Sequence, residues 1–195
     1  MQETEITVMV YNNLEDTCKI LENQGFHLKE IKTMTDIYLS KFSIDQLKQM
    51  DYQEKLNNSI ILRKFTYPTH EKSFLLYKNK TIDTSGNVLR EEKSHCPIDN
   101  IEQANQILTK AGLTTWCELV QDMKIYKNDK MEFALQHIDQ LGLFLEYEED
   151  KSMAGMTDYQ KINQMLSNLK SLGLNISNET SFKKVLMKFE KSRED

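Results

Sequence analysis

Two short stretches of this chain alternate glutamate with other residues: Glu3-Thr4-Glu5 near the start and Glu146-Tyr147-Glu148 further along. If each lies on a strand, residues i and i+2 point the same way, so each stretch offers a pair of carboxylates on one face. Four carboxylates converging on one interior would repel strongly. Such a cluster persists where a divalent cation or basic groups offset the charge. Ligands made only of oxygen suit Mg²⁺ or Mn²⁺. Periodicity alone also allows a simpler arrangement, in which these glutamates lie on the wetted face of a half-exposed antiparallel strand.

Other chemistries find little support. Cys18, Cys96 and Cys117 are odd in number and none form a C-x-x-C pair, which predicts free thiols in a reducing cytoplasm. His27, His70, His95 and His137 are scattered. His95-Cys96 has no second pair at zinc spacing. A net charge of -5 argues against a dedicated nucleic-acid binder. No apolar run is long enough to span a membrane, and the acidic start Met1-Gln2-Glu3-Thr4-Glu5 does not read as a signal peptide.

The elements that would carry these residues follow from hydrophobic period and turn residues. Period-two alternation predicts strands over 3–10, 26–39, 59–67, 72–79, 88–94, 114–127, 131–139 and 142–149. Asn13 opens a helix that Gly25 ends. Ser43-Ile44-Asp45-Gln46 reads as a capping box before a short helix. Pro97 and Asp99 open another helix, which stops at Gly112. Ser85-Gly86-Asn87 and Asn128-Asp129-Lys130 mark turns. Two helices follow the last strand. The final one carries Phe182, Val185, Leu186 and Phe189 beside Lys183, Lys184, Lys188 and Lys191, which read as a solvated face. Trp116 reads as a packing residue, and His137 as packed or surface-exposed rather than catalytic. The connections are too short for parallel crossovers, so the sheet is mainly antiparallel.

In this order the motifs resemble the CYTH, or triphosphate tunnel, superfamily. The carriers are Glu3-Thr4-Glu5-Ile6-Thr7, Thr35-Asp36-Ile37-Tyr38-Leu39, Ile61-Leu62-Arg63-Lys64-Phe65, Leu75-Leu76-Tyr77-Lys78, Arg90-Glu91-Glu92-Lys93-Ser94 and, most specifically, Leu141-Gly142-Leu143-Phe144-Leu145-Glu146-Tyr147-Glu148. The resemblance implies one α+β domain over 1–195. A closed antiparallel β-barrel, or tunnel, would occupy about 1–150 with flanking helices, and a C-terminal helical tail about 155–191. It implies a metal-dependent triphosphatase or a class IV adenylate cyclase-like enzyme acting on a phosphorylated small molecule, with neither nucleic acid nor membrane as partner; a homodimer is compatible with it. By matching position Glu3, Glu5, Glu146, Glu148 and Glu92 would hold Mg²⁺ or Mn²⁺. Arg63, Lys78 and Arg90 would bind phosphate, and Glu5 or Glu148 would position the attacking water or hydroxyl.

Several positions depart from the family pattern. Thr7 stands where the N-terminal strand carries a lysine, Phe65 replaces the second arginine of L-R-x-R, and Ser94 replaces the second acid of R-x-E-x-E. Gln121 and Met123 occupy positions for basic residues, unless a shift of one residue turns Lys124 inward, and Gln136 stands for an aspartate. Each charge-assisted bond contributes on the order of 1.5–3 kcal/mol, so the losses bear directly on phosphoryl transfer, which depends on positioning and electrostatics. They leave a second reading open: a catalytically degenerate binding module for a less anionic ligand.

Overall fold

The computed structural model describes residues 2–84 and 88–192, without the side chains of Gln2 and Glu3. The Ser85-Gly86-Asn87 turn and the Glu3 carboxylate therefore lie outside what is described. Strands β1 (Gln2–Glu3), β2 (Glu5–Val10), β3 (His27–Ser40), β4 (Ser59–Thr66), β5 (Glu71–Ile82), β6 (Val88–Ile98), β7 (Thr114–Lys127), β8 (Glu132–Ile138) and β9 (Gly142–Glu148) form one curled sheet. Its order is β1-β6-β5-β4-β3-β7-β8-β9-β2, and every pairing in it is antiparallel. The helices are α1 (Leu14–Asn23), α2 (Ile44–Gln49), α3 (Tyr52–Asn57), α4 (Ile101–Lys110), α5 (Asp158–Lys170) and α6 (Lys184–Lys191). The architecture is thus α+β.

Strand alternation separates the two faces of the sheet. Ile6, Val8 and Val10 of β2 join Leu143, Leu145 and Tyr147 of β9 in a core with Leu21 of α1 and Ile162, Met165 and Leu169 of α5. The intervening Glu5, Thr7, Glu146 and Glu148 face a cavity on the other side. Part of that inner side is filled by Tyr38, Ile61, Leu76, Leu119 and Phe144, packed with Trp116 and with Val185 and Phe189 of α6.

Most expected elements are present, with informative differences. Pro97 remains in β6 opposite Phe74, and α4 begins later with Asn100 as its cap rather than Asp99. Helix α3 was not expected. It is held by a capping box in which the Asp51 side chain accepts from the Glu54 backbone and the Glu54 side chain accepts from that of Asp51.

The two ends of the sheet belong to one N-terminal segment: β1 pairs with β6 and β2 with β9, with Thr4 between them. Beyond Thr4 the free edge of β2 is met by the C-terminal segment. Thr7 N–H donates to Thr180 O at 2.9 Å, Tyr11 N–H to Asn175 O at 2.8 Å, and Ser177 N–H to Met9 O at 2.9 Å. Across the seam, Val88 N–H donates to Ser181 Oγ at 3.0 Å. The tail therefore covers a sheet edge that would otherwise expose unpaired backbone groups.

Helix α6 is anchored by Phe189, whose ring meets Trp116 edge-on at 5.2 Å between centroids. Trp116 Nε1 in turn donates to Ser59 Oγ at 3.0 Å. Phe189→Ala is expected to cost about 3–5 kcal/mol by leaving a cavity there. Urea denaturation at neutral pH checks this. A loss below about 0.5 kcal/mol, the usual effect of a surface change, would mean that α6 is not part of the cooperative fold.

Candidate active site

The cavity has a volume of about 290 Å³ and brings many ionised side chains together with apolar ones. Its bases are Lys32, Arg63, Lys78, Lys80, Lys93 and Lys184, and its acids Glu5, Asp36, Glu132, Glu146 and Glu148. Strand register explains the acid cluster. Glu5 lies opposite Glu148, and Thr7 opposite Glu146, on the paired strands β2 and β9. One carboxylate oxygen from each of Glu5, Glu146 and Glu148 lies within 4.8 Å of the others. An all-oxygen trio at this spacing fits a hard divalent cation.

The charges are already heavily paired. Glu91, with 0 % exposure, lies 2.9 Å from Lys78, 2.7 Å from Lys80 and 3.4 Å from Lys93. Lys93 also reaches Glu5 at 3.4 Å and Glu148 at 3.5 Å, and Lys80 reaches Glu5 at 3.5 Å. Asp36, equally buried, receives both Nε and Nη2 of Arg63, at 2.6 and 2.5 Å. That two-point contact fixes the guanidinium plane. From α6, Lys184 Nζ reaches Glu146 at 2.7 Å and Gln136 Oε1 at 2.5 Å.

These contacts set the protonation states. Burial would raise the Glu91 carboxyl, but Lys78, Lys80 and Lys93 outweigh it and hold it far below the usual carboxylate range. Burial likewise opposes ionisation of Glu146. Lys184 chiefly, with Lys78 and Lys93, holds that carboxyl low as well. Lys93 is raised because Glu5, Glu91 and Glu148 outweigh its desolvation. For Lys78 desolvation wins over Glu91, and its ammonium is lowered.

The sequence-based candidates divide. Glu5, Glu146, Glu148, Arg63 and Lys78 come together around the cavity. Arg90 and Glu92 do not line it, because β6 turns Glu91 and Lys93 to that side. Arg90 instead donates to Asp158 of α5 at 2.7 Å, and Glu92 is exposed. The inner frame of β6 is thus one residue away from the expected Arg90-x-Glu92-x-Ser94. Lys124 also faces away, its ammonium 3.8 Å from Cys18 Sγ beside α1, while Gln121 and Met123 line the cavity. Lys184, expected on a solvated face, is 12 % exposed and ion-paired within the site. It supplies a cation to Glu146, the partner of Thr7, close to where the family lysine is missing. Lys80 and Lys93 also went unread. The Lys78-x-Lys80 and Glu91-x-Lys93 alternations were the available signals.

The carboxylates of Glu91 and Glu146 are held below their unfolded values, so the stability they contribute is present above about pH 4.3, the unfolded glutamate value, and is lost as pH falls below it. The melting temperature is therefore expected to drop steeply on acidification below that point. Glu91→Gln should cost about 3–5 kcal/mol at pH 7 by stranding buried ammonium groups, and should flatten the acid limb. Thermal melts from pH 7 to pH 3 check both; an unchanged acid limb in the variant would assign acid lability to other groups.

No protein-family model matches the chain. A protein of Methanocaldococcus jannaschii named "Putative adenylate cyclase MJ0240" is 27% identical over 182 residues, covering 91% of this chain and 93% of that one. Among solved structures, the PH1819 protein of Pyrococcus horikoshii OT3 superposes with a TM-score of 0.69 at 19% identity, covering 96% of this chain and 99% of its own. HpAC1 from Hippeastrum, described as a "putative adenylyl cyclase" with a dominant triphosphatase activity, gives a TM-score of 0.64 at 12% identity over 97% of this chain and 96% of its own. The shared fold and the 27% identical relative fit the motif order, in which the chain resembles a divergent member of the CYTH, or triphosphate tunnel, superfamily.

Proposed function

We propose that this protein binds a small molecule bearing a triphosphate inside a tunnel and, with a divalent cation, carries out triphosphatase or adenylate cyclase-like chemistry on it. The observation that carries this reading is the meeting, in one cavity, of the Glu5, Glu146 and Glu148 carboxylates with Arg63, Lys78, Lys80, Lys93 and Lys184. Tunnel closure is supported by the pairing of β1 and β2 with opposite sheet ends and by the C-terminal segment along the seam.

Glu5, Glu146 and Glu148 would hold Mg²⁺ or Mn²⁺, which when bound polarises phosphate oxygens and offsets their charge. Arg63, fixed by Asp36, and Lys78 would bind phosphate oxygens, joined by Lys80 and Lys93 once those lysines share their charge between Glu91 and the ligand. Lys184 would hold Glu146 ionised and oriented. Glu148 is the most exposed of the acid trio, with 52 % of its side chain accessible, and is suited to orient a water or hydroxyl. Arg90 and Glu92 take no direct part in this reading. Three free cysteines suit a cytoplasmic setting.

A second reading, a non-catalytic binding module, draws on the fact that Glu5 and Glu148 already have lysine partners, with which a cation must compete. Release assays with Mg²⁺ or Mn²⁺ on inorganic triphosphate, thiamine triphosphate and ATP, read for phosphate, diphosphate and cyclic AMP, separate the two. Metal-dependent turnover is expected, with Glu148→Gln reducing it by roughly 100-fold or more, the scale of losing a key positioning or proton-transfer group. The metal should also raise the melting temperature, by about 2.7 kcal/mol of stability at 100-fold over its Kd, and Glu5→Gln should shrink that shift. Binding without turnover would favour the module; an undiminished shift in Glu5→Gln would place the metal elsewhere.

A further inference from the structure

Every carboxylate of the acid trio already holds an ammonium. Lys184 lies 2.7 Å from Glu146, and Lys80 lies 3.5 Å from Glu5. Lys93 is placed differently. Its Nζ stands 3.4 Å from Glu5, 3.5 Å from Glu148 and 3.4 Å from Glu91. A committed ammonium–carboxylate contact is about 2.7–2.9 Å, as Lys80 makes with Glu91 at 2.7 Å. Lys93 therefore sits among the acids rather than on any one of them. Its flexible stem lets the charge move between partners.

With Lys93 in that place, neither ligand of the site meets a ready seat. A divalent cation entering between Glu5 and Glu148 comes close to an ammonium. The Lys93 and Glu5 side chains are 20 % and 9 % exposed, so water screens that repulsion poorly. A polyphosphate arriving alone gains Lys93 but strips it from Glu5 and Glu148, and then faces their bare carboxylates. When both ligands arrive, the partners exchange. Lys93 turns to the phosphate oxygens while the cation takes the carboxylates. Glu91 tolerates the move, because Lys78 at 2.9 Å and Lys80 at 2.7 Å remain beside it.

We propose that Lys93 is the resident counter-cation of the Glu5 and Glu148 pair. Its displacement makes divalent cation and polyphosphate bind as a mutually dependent pair, each poorly without the other. Coupling of this kind is reciprocal. The inference rests on the triphosphate reading above and adds to it how the site admits its two ligands.

Calorimetric titrations of the whole chain test it, with Mn²⁺ alone, with inorganic triphosphate in EDTA, and with the preformed Mn²⁺–triphosphate complex. In the wild type the complex should bind at least about tenfold more tightly than free triphosphate, within the usual range of coupling between two ligands. Lys93→Met keeps most of the stem and removes the charge. It should tighten binding of Mn²⁺ alone by roughly tenfold and weaken that of free triphosphate, two changes of opposite sign. A lysine that only held the anion would leave Mn²⁺ affinity as it was. One that only supported the fold would weaken both. Lys32→Met removes a cavity lysine paired with Glu30, and should change Mn²⁺ affinity less than Lys93→Met does. That control separates displacement from a general change of field. Unchanged or weakened Mn²⁺ binding in a folded Lys93→Met, or an equal gain in Lys32→Met, overturns the proposal and leaves the triphosphate reading standing. If neither free nor complexed triphosphate binds the wild type, the triphosphate reading falls and this proposal with it. Should Lys93→Met not fold, the wild-type comparison decides: equal affinity for free and complexed triphosphate overturns the proposal.

Discussion

The carboxylate of Glu91 is withdrawn from water and surrounded by Lys78, Lys80 and Lys93. Much of the site depends on that arrangement. Ammonium groups so close together, and so deep, repel one another and are poorly solvated, and without an anion among them they would lose protons or leave. Glu91 keeps them charged and in place. It also links the β5–β6 side of the cavity to the acid cluster, because Lys93 reaches Glu5 and Glu148 as well. The cavity is therefore nearly neutral as it stands, and its bases can serve an anion only by redistributing existing pairs.

A second fixed point stands on the neighbouring strands β3 and β4. Asp36 receives the Arg63 guanidinium at two atoms, which commits that group to one plane. The two bases are thus held differently. Arg63 is rigid and always charged, whereas the lysines share their partners and can exchange them. A site built in this way can hold one end of an anionic ligand in fixed geometry while the other end, nearer Glu5 and Glu148, adjusts.

The C-terminal segment does more than close off the chain. Residues 175–181 hydrogen-bond along the edge of β2, and α6 brings Lys184 into the cavity against Glu146 and Gln136. Packing of Phe189 against Trp116 fixes the helix from which that lysine projects. The site is thus assembled in part from β2 near the start of the sequence and from a helix nearly at its other end. The folding of the tail and the electrostatics of the cavity are consequently one problem.

Much of the fold was legible in the sequence, because period-two alternation and capping residues are local signals. The strands from β2 to β9 and the helix caps at Asn13 and Ser43 all follow from them. The spacing of Glu146 and Glu148, and the resemblance of their strand to the family pattern, placed the acid pair without coordinates. Which face of β6 turns inward was not legible. A single-residue change of register exchanges the two faces of a strand, and that register is set by pairing with β5. Glu91 and Lys93 point inward because they pair with the cavity-facing Lys80 and Lys78 of β5, where Arg90 and Glu92 were expected. Lys184 was equally hidden: an amphipathic helix rich in lysine looks the same from its sequence whether its cations meet water or a buried glutamate. The sequence by itself determined the element types, the acid pair and the absence of the family's bases at Thr7, Phe65 and Met123. Only the tertiary structure decided which charges share the cavity, because strand register and helix docking are set by contacts between residues far apart in the chain.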